Sequence, residues 1–232
     1  MASGCCKKRM ASRGLFVSFE GSEGCGKTTQ IRLLAATFRG IDRKVMLVRE
    51  PGGTEAGEVI RHLLQHAPEG RLLTPEAELL LFAASRAQLV REVIVPALEA
   101  GQTVISDRFL DSTTVYQGVA RRIPAETTRA INAFAVGDCL PDFTFLLDLD
   151  RATALTRMED RSRDRIESEP EEFFEAVRRG YLELAKCEPR RIHVIDASKP
   201  AAVIAREVTA TLEKAGNLPR ALEAMPRPRC GH

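Results

Sequence analysis

Short apolar runs alternate along the chain with stretches that have helical spacing. The runs lie at positions 15–19, 45–48, 103–106, 143–147 and 192–195, and each predicts a buried strand. Apolar residues recur at helical spacing between them, for example at Ile31, Leu34 and Phe38. Strands that alternate with helices predict an α/β fold whose parallel sheet carries helices on both faces.

One long helix and the limits of the folded region are also visible in the pattern. Thr74 is followed by Pro75 and Glu76, a helix-start signal, and helical spacing then continues towards Pro96. We expect this helix to cross the active-site side of the sheet. Positions 14–214 are predicted to form a single domain. Positions 1–13 and 215–232 are expected to be flexible tails, because neither offers a periodic apolar face.

Composition excludes several classes of protein. The chain is 44% hydrophobic, enough for a core, and its 34 basic and 32 acidic residues leave a net charge of only +2. We therefore expect no nucleic-acid partner and no membrane partner. No apolar run approaches the roughly 20 residues that span a bilayer, and no signal-peptide stretch follows the basic N-terminus, so a cytoplasmic location is expected. The six cysteines lack paired C-x-x-C spacing, which favours reduced thiols.

A phosphate-binding loop follows the first predicted strand. The segment fits G-x-x-x-x-G-K-[ST] and leads directly into a helix, so glycine N–H groups and the helix terminus can face phosphate oxygens. Lys27 is predicted to neutralise the β- and γ-phosphates of ATP, and Thr28 to bind Mg²⁺. A glycine-rich turn without a ligand is the alternative. The predicted ATP-binding residues are Gly21, Ser22, Glu23, Gly24, Cys25, Gly26, Lys27, Thr28 and Thr29.

Glu23 is unusual within such a loop. A carboxylate in an anion-binding loop is unfavourable unless it points away from the triphosphate. We expect it to face an acceptor hydroxyl or an arginine.

The third predicted strand ends in Asp107-Arg108, and this pair distinguishes between classes of P-loop protein. A regulatory GTPase needs an N-K-x-D segment, but neither Asn132 nor Asn217 begins one. An ATP hydrolase would be expected to end a buried strand in Asp-Glu. Asp107 is predicted to hold Mg²⁺, and Arg108 to offer a forked donor to a second phosphate. Asp148 is a weaker magnesium candidate, since it could instead cap the next helix.

Several segments together resemble bacterial thymidylate kinases, and the match extends over positions 14–212. They are the phosphate loop, Arg49-Glu50-Pro51-Gly52-Gly53-Thr54, Phe82-Ala83-Ala84-Ser85-Arg86, Asp107-Arg108-Phe109 and Tyr116-Gln117-Gly118. The resemblance implies a P-loop fold with a five-stranded sheet and a short basic lid. It also implies the reaction ATP + dTMP to ADP + dTDP with Mg²⁺, for DNA precursor synthesis, and a homodimer.

The resemblance further implies the acceptor site. Phe82 would stack on the thymine ring while Arg86, four residues later on one helix face, donates to its carbonyl; spacing alone favours Phe82 as a core aromatic. Arg49 and Arg108 would clamp the acceptor phosphate, although both could instead form surface salt bridges. Tyr116 would lie against the sugar and disfavour a 2′-hydroxyl. The predicted substrate-binding residues are Glu23, Arg49, Phe82, Arg86, Arg108, Thr113, Tyr116 and Gln117.

An arginine-rich stretch at about 157–167 resembles the lid of the family, whose arginine would reach the transferred phosphate. A solvated helix with many salt bridges is the alternative. The predicted catalytic residues are Lys27, Arg108, Arg157 and Arg161. Two other functions remain open: a kinase that prefers dUMP or another pyrimidine nucleotide, and a nucleotide-binding module without catalysis.

Overall fold

A computed structural model describes residues 13–158 and 164–219 of the chain. Its five strands form one parallel sheet in the order β2-β3-β1-β4-β5, so the predicted fold class is confirmed. The strands are β1 Phe16–Glu20, β2 Val45–Arg49, β3 Thr103–Asp107, β4 Phe143–Asp148 and β5 Ile192–Asp196.

Each strand ends one residue beyond the apolar run that predicts it, and that additional residue is always charged. The five terminal residues are Glu20, Arg49, Asp107, Asp148 and Asp196. Because all five strands are parallel, these side chains lie along the same carboxyl edge of the sheet. The register aligns Arg49 of β2 with Asp107 of β3. Charged side chains are therefore concentrated at this edge of the sheet.

The long helix begins where the sequence predicts it. Thr74 caps α3, because its Oγ1 accepts a hydrogen bond from the backbone N of Ala77 at 3.3 Å, and Pro75 is the first helical residue. A π-helical turn, Val90–Ile94, joins α3 to α4, so the long helix towards Pro96 is confirmed. The helices are α1 Lys27–Arg39, α2 Glu55–Gln65, α3 Pro75–Leu89, α4 Val95–Glu99, α5 Leu110–Thr113, α6 Ala125–Val136, α7 Arg151–Thr156, α8 Glu171–Cys187 and α9 Ala201–Lys214.

Helices cover both faces of the sheet. The apolar residues of α1 and α9 pack on one face, around Phe19 and Phe145. On the other face, α3, α4 and α8 pack around Phe16 and Leu146. Leu218 is buried in the first of these cores, so the folded region extends beyond the boundary expected at position 214. Within the described residues, no helix is long and apolar enough to cross a membrane.

Candidate active site

The glycine-rich loop between β1 and α1 has the backbone geometry that phosphate binding requires. Gly24 and Gly26 have positive φ angles of 74° and 92°. A Cβ atom on Gly24 would lie only 2.6 Å from the carbonyl oxygen of Ala154, so a side chain cannot be accommodated there. Lys27, which begins α1, donates from Nζ to the carbonyl oxygens of Gly21 at 3.0 Å and Ser22 at 2.8 Å. The ammonium group is therefore held over the loop.

Two oxygen ligands suited to magnesium lie together beside this loop. The Thr28 hydroxyl donates to Oδ2 of Asp107 at 3.3 Å, and carboxylate and hydroxyl oxygens are the donors that Mg²⁺ prefers. Asp148, the weaker candidate, is instead held by Arg178 through hydrogen bonds of 2.7 and 2.8 Å. It does not cap α7, because Asp150 performs that role.

Arg108 stands at the centre of the site in a left-handed backbone conformation, with φ 69°. Its Nη2 donates to Glu23 at 2.5 Å and to the Tyr116 hydroxyl at 3.2 Å. The prediction that Glu23 faces an arginine is therefore confirmed. Burial alone would raise the pKa of Glu23, but the positive charges of Arg108 and Lys27, together with hydrogen bonds from the Glu23 backbone N–H and from Tyr116, lower the pKa overall. Glu23 is thus a carboxylate at neutral pH.

A cavity of about 640 Å³ opens beside the phosphate loop at the carboxyl edge of the sheet. It brings together most of the residues predicted to act on phosphate. The predicted residues that line it are Glu23, Gly24, Gly26, Lys27, Thr28, Thr29, Arg49, Asp107, Arg108 and Arg157. Gly21, Ser22 and Cys25 shape the loop without lining the cavity, and the Cys25 thiol is buried. A groove of about 700 Å³ between α8 and β5 contains no predicted site residue.

A smaller cavity adjoins the first and shares Glu23 and Arg108 with it. Its lining includes an aromatic ring from α3 and several polar groups from the segment after β3. The predicted substrate residues that line it are Glu23, Phe82, Arg108, Thr113, Tyr116 and Gln117. Arg108 therefore lies between the cavity beside the glycine-rich loop and the cavity that the Phe82 ring lines.

Arg86 lies behind this smaller cavity, and only 1% of its surface is exposed. Its guanidinium is held by Glu50 at 2.6 Å and by Asn132 at 2.9 Å, and it donates to the Thr113 hydroxyl at 2.8 Å. Burial raises the pKa of Glu50, although Arg86 acts in the opposite direction. Of this group, Thr113 is the residue that lines the cavity.

Three residues that line the larger cavity were not predicted from the sequence and lie at the C-terminal end of α2: Arg61 and Gln65 within the helix and His66 directly after it. Arg61 donates from Nη1 to the carbonyl oxygen of Pro51 at 2.8 Å, and burial lowers its pKa. Helical spacing on α2 could not have identified them, because what they face depends on the position of the Pro51 segment in space.

The predicted lid is described only at its two ends. Arg157 lines the larger cavity and donates to the carbonyl oxygen of Ala197 at 3.0 Å. Arg161 lies outside the described residues. At the other end, Arg165 donates to Glu78 at 2.6 Å and to the carbonyl oxygen of Leu64 at 2.8 Å. The far end of the lid is thereby attached to α2 and α3.

Comparisons with known proteins agree on one family. A family model described as thymidylate kinase matches residues 19–208. A thymidylate kinase of Bifidobacterium longum subsp. infantis is 49% identical over 188 residues, which is 80% of this chain and 80% of that protein. One from Desulforudis audaxviator is 44% identical over 198 residues, covering 85% and 89%. The crystal structure of thymidylate kinase from Ehrlichia chaffeensis matches with a TM-score of 0.70 and 36% identity, covering 86% of this chain and 99% of that one.

Proposed function

The chain belongs to the thymidylate kinase family and is an ATP-dependent kinase that converts dTMP to dTDP, and we propose that the two adjoining cavities hold its two substrates. The larger cavity, which Arg49 lines, binds the ATP phosphates and the dTMP phosphate, and the smaller one binds the dTMP base and sugar. The observation that carries this proposal is the position of Arg108, which lines both cavities. Phosphoryl transfer requires donor and acceptor phosphates to meet at one such point.

On the ATP side, the loop residues 21–29 surround the triphosphate with backbone N–H groups, and Lys27 neutralises charge on the β- and γ-phosphates. The buried Lys27 side chain already lies over the loop. In this proposal its Nζ exchanges the carbonyl oxygens of Gly21 and Ser22 for phosphate oxygens. Lys27 thereby contributes an ammonium charge that is restricted to the site before ATP enters.

Thr28 and Asp107 fit Mg²⁺ as a pair of oxygen ligands, which their 3.3 Å contact supports. When bound, the ion would neutralise negative charge on the donor phosphates. Asp148 is unsuited to this role, since Arg178 already pairs with both of its carboxylate oxygens.

On the acceptor side, Arg49 and Arg108 hold the dTMP phosphate so that one of its oxygens is in line with the γ-phosphorus. Phe82 stacks on thymine, and Tyr116 and Gln117 enclose the nucleoside. Thr113 contacts the thymine edge from the cavity wall, and Arg86, buried behind it, acts on that edge through the Thr113 hydroxyl while Glu50 fixes the plane of its guanidinium. The hydrogen bonds among the last three residues support this assignment.

The reaction needs no general base in this proposal. An anionic oxygen of dTMP forms a bond to the γ-phosphorus as the bond between that phosphorus and ADP breaks, through a loose transition state. Arg108 and the lid arginines Arg157 and Arg161 stabilise the charge on the transferred group. Closure of the lid excludes water and suppresses hydrolysis of ATP.

We also propose that the enzyme works as a homodimer. Large apolar side chains are exposed on three neighbouring helices: Val59 on α2 at 72%, Leu80 on α3 at 55% and Phe134 on α6 at 83%. Exposed apolar side chains on adjacent helices would be covered by the same surface of a second copy. We assign the enzyme to the cytoplasm, where nucleotides are made. The free thiols of Cys25, Cys139 and Cys187 are compatible with that compartment.

Steady-state kinetics of two variants test the division of the site. Phe82→Ala and Arg49→Ala should each lower kcat/KM for dTMP, by about 30-fold for Phe82, which is about 2 kcal/mol of base stacking. The KM for ATP should stay within about twofold of wild type, because neither residue contacts ATP in this proposal. Arg32→Ala, which removes an exposed arginine of α1, is the control. An equal rise in both KM values would contradict the two-cavity assignment.

A further inference from the structure

Glu20, the last residue of β1, is fully buried beneath the site, and the proposed reaction gives it no role. Its carboxylate receives three hydrogen bonds. Oε1 accepts from the backbone N of Phe109 at 2.7 Å, and Oε2 accepts from the hydroxyls of Ser112 at 2.6 Å and Tyr181 at 2.8 Å. A buried carboxylate costs folding free energy, so its position beside the reacting groups requires an explanation.

The two hydroxyl groups that contact Glu20 also contact Arg108. Nη1 of Arg108 donates to Ser112 Oγ at 3.1 Å and to the Tyr181 hydroxyl at 3.4 Å. Ser112 and Tyr181 are themselves 2.8 Å apart. The carboxylate therefore holds both hydroxyls, and the hydroxyls hold one terminal nitrogen of the guanidinium.

The other terminal nitrogen of Arg108 has different partners. Nη2 donates to Glu23 and to Tyr116, both of which line the smaller cavity. The guanidinium thus has one nitrogen attached to the interior and another directed towards the substrate space. This asymmetry allows Nη2 to exchange Glu23 for an acceptor phosphate while Nη1 stays in place.

Glu20 also holds the backbone that follows Arg108. Its Oε1 receives the N–H of Phe109, the residue directly after the left-handed Arg108. The carbonyl oxygen of Arg108 accepts a hydrogen bond from the Ser106 hydroxyl at 2.5 Å. The backbone N–H of Arg108 donates to the carbonyl oxygen of Phe19 at 3.0 Å. An uncommon backbone conformation persists only when surrounding contacts enforce it.

We propose that Glu20 is a positioning residue that fixes Arg108 for the acceptor phosphate, through Ser112 and Tyr181 and through the Phe109 N–H. The inference rests on the proposed role of Arg108 in dTMP binding. Glu20 itself contacts neither substrate. The ionised carboxylate is the active form of Glu20, because it can accept all three hydrogen bonds. A protonated carboxyl group would carry a hydrogen on one of the oxygens that must accept.

Burial and the charged groups around Glu20 make the population of its carboxylate form depend on pH near neutrality. Burial is the main cause that raises the pKa of Glu20 to about 7, and the carboxylate of Asp111 on α5 adds to it, while Arg108 and the hydrogen bonds from Ser112 and Tyr181 on α8 oppose it. Asp111 is paired with Arg191 before β5. Activity that depends on the Glu20 carboxylate should therefore rise as the pH passes through about 7.

The test is the kinetics of Glu20→Gln, alone and combined with Arg108→Ala. We expect the single variant to lower kcat/KM for dTMP about 30-fold, as for loss of hydrogen bonds to a charged group, with the KM for ATP nearly unchanged. The rise in kcat/KM near pH 7 should disappear, leaving only the ionisation of the dTMP phosphate near about pH 6. In the Arg108→Ala background, Glu20→Gln should have no further effect.

Three results would overturn the inference. They are full additivity of the two substitutions, an unchanged pH profile in Glu20→Gln, and wild-type kinetics of Glu20→Gln when Arg108→Ala is severely impaired. If Arg108→Ala itself phosphorylates dTMP normally, the proposed role of Arg108 fails as well, which distinguishes the two failures. Glu99→Gln, on the exposed end of α4, controls for loss of one negative charge.

Tyr181→Phe provides a second test that does not depend on how well Glu20→Gln folds. It removes a hydroxyl shared by Glu20 and Arg108 but retains the ring. We expect a reduction of about tenfold in kcat/KM for dTMP, with the KM for ATP unchanged. Kinetics equal to wild type for both Tyr181→Phe and Ser112→Ala would contradict a link through these hydroxyls.

Discussion

Replacing Glu20 by glutamine should change the way in which stability depends on pH. The pKa of Glu20 rises from 4.5 to about 7 in the folded state, first because of burial and then because of Asp111. Between about pH 4.5 and about pH 7, Glu20 is ionised in the unfolded chain but still protonated in the folded chain. Stability from this group is therefore fully present below about pH 4.5 and is lost as the pH rises through about 7.

The size of the effect follows from the same two values. At about 1.36 kcal/mol for each pH unit, the difference between 4.5 and about 7 corresponds to about 3 kcal/mol. Between pH 5 and pH 8 most of this is lost, so wild type should lose about 2–3 kcal/mol relative to Glu20→Gln. The hydrogen bonds that glutamine cannot reproduce cost the same at every pH, and they cancel from this comparison.

Urea unfolding at several pH values, followed by circular dichroism at one protein concentration, measures the difference directly. Glu99→Gln again serves as the control for charge. We expect Glu20→Gln to gain stability relative to wild type as the pH rises, although it is the slower enzyme. Parallel curves for wild type and Glu20→Gln between pH 5 and pH 8 would refute the claim that burial raises the pKa of Glu20 in the folded state.

Three further predictions concern the rest of the molecule. Lys27→Ala should lower kcat by at least about 100-fold in a coupled assay, because a charge that stabilises the transferred phosphate is lost. Near-normal turnover would show that the phosphate-binding loop is misassigned. Glu50→Ala should cost about 3–5 kcal/mol in urea unfolding, because it leaves Arg86 buried without its carboxylate; a loss below about 1 kcal/mol would contradict that pairing. Phe134→Asp should give a monomer in sedimentation equilibrium where wild type gives a dimer, and a monomeric wild type would remove the proposed interface.

The sequence predicts the sheet well, since apolar runs identify all five strands. It places each strand end one residue early, because the charged residues Glu20, Arg49 and Asp107 do not continue the apolar pattern. The loop motif likewise predicts Lys27 and Thr28 from local spacing alone. Local sequence patterns are therefore sufficient to predict an element or a site whose residues are neighbours in the chain.

Residues whose roles depend on distant partners could not be predicted in the same way. Arg61 enters the site because α2 packs beside the Pro51 segment. Glu20 lies directly after the first predicted strand, and nothing in the local sequence indicates that Ser112 and Tyr181, more than 90 and 160 positions away, both donate hydrogen bonds to it. The family resemblance implies that Arg86 faces a base, but neither the resemblance nor the four-residue spacing from Phe82 reveals the buried carboxylate that holds the Arg86 guanidinium.

The most direct test of the account is a coupled ADP-release assay with Mg·ATP and a panel of acceptors: dTMP, dUMP, UMP, dCMP, AMP and GMP. Lys27→Ala serves as the blank. We expect a strong preference for dTMP over the other acceptors, and we expect Phe82→Ala to reduce the preference for dTMP over dCMP. Equal turnover of dTMP and dCMP would contradict the assignment of the smaller cavity to thymine. A chain that binds ATP but turns over no acceptor would contradict the assigned kinase activity.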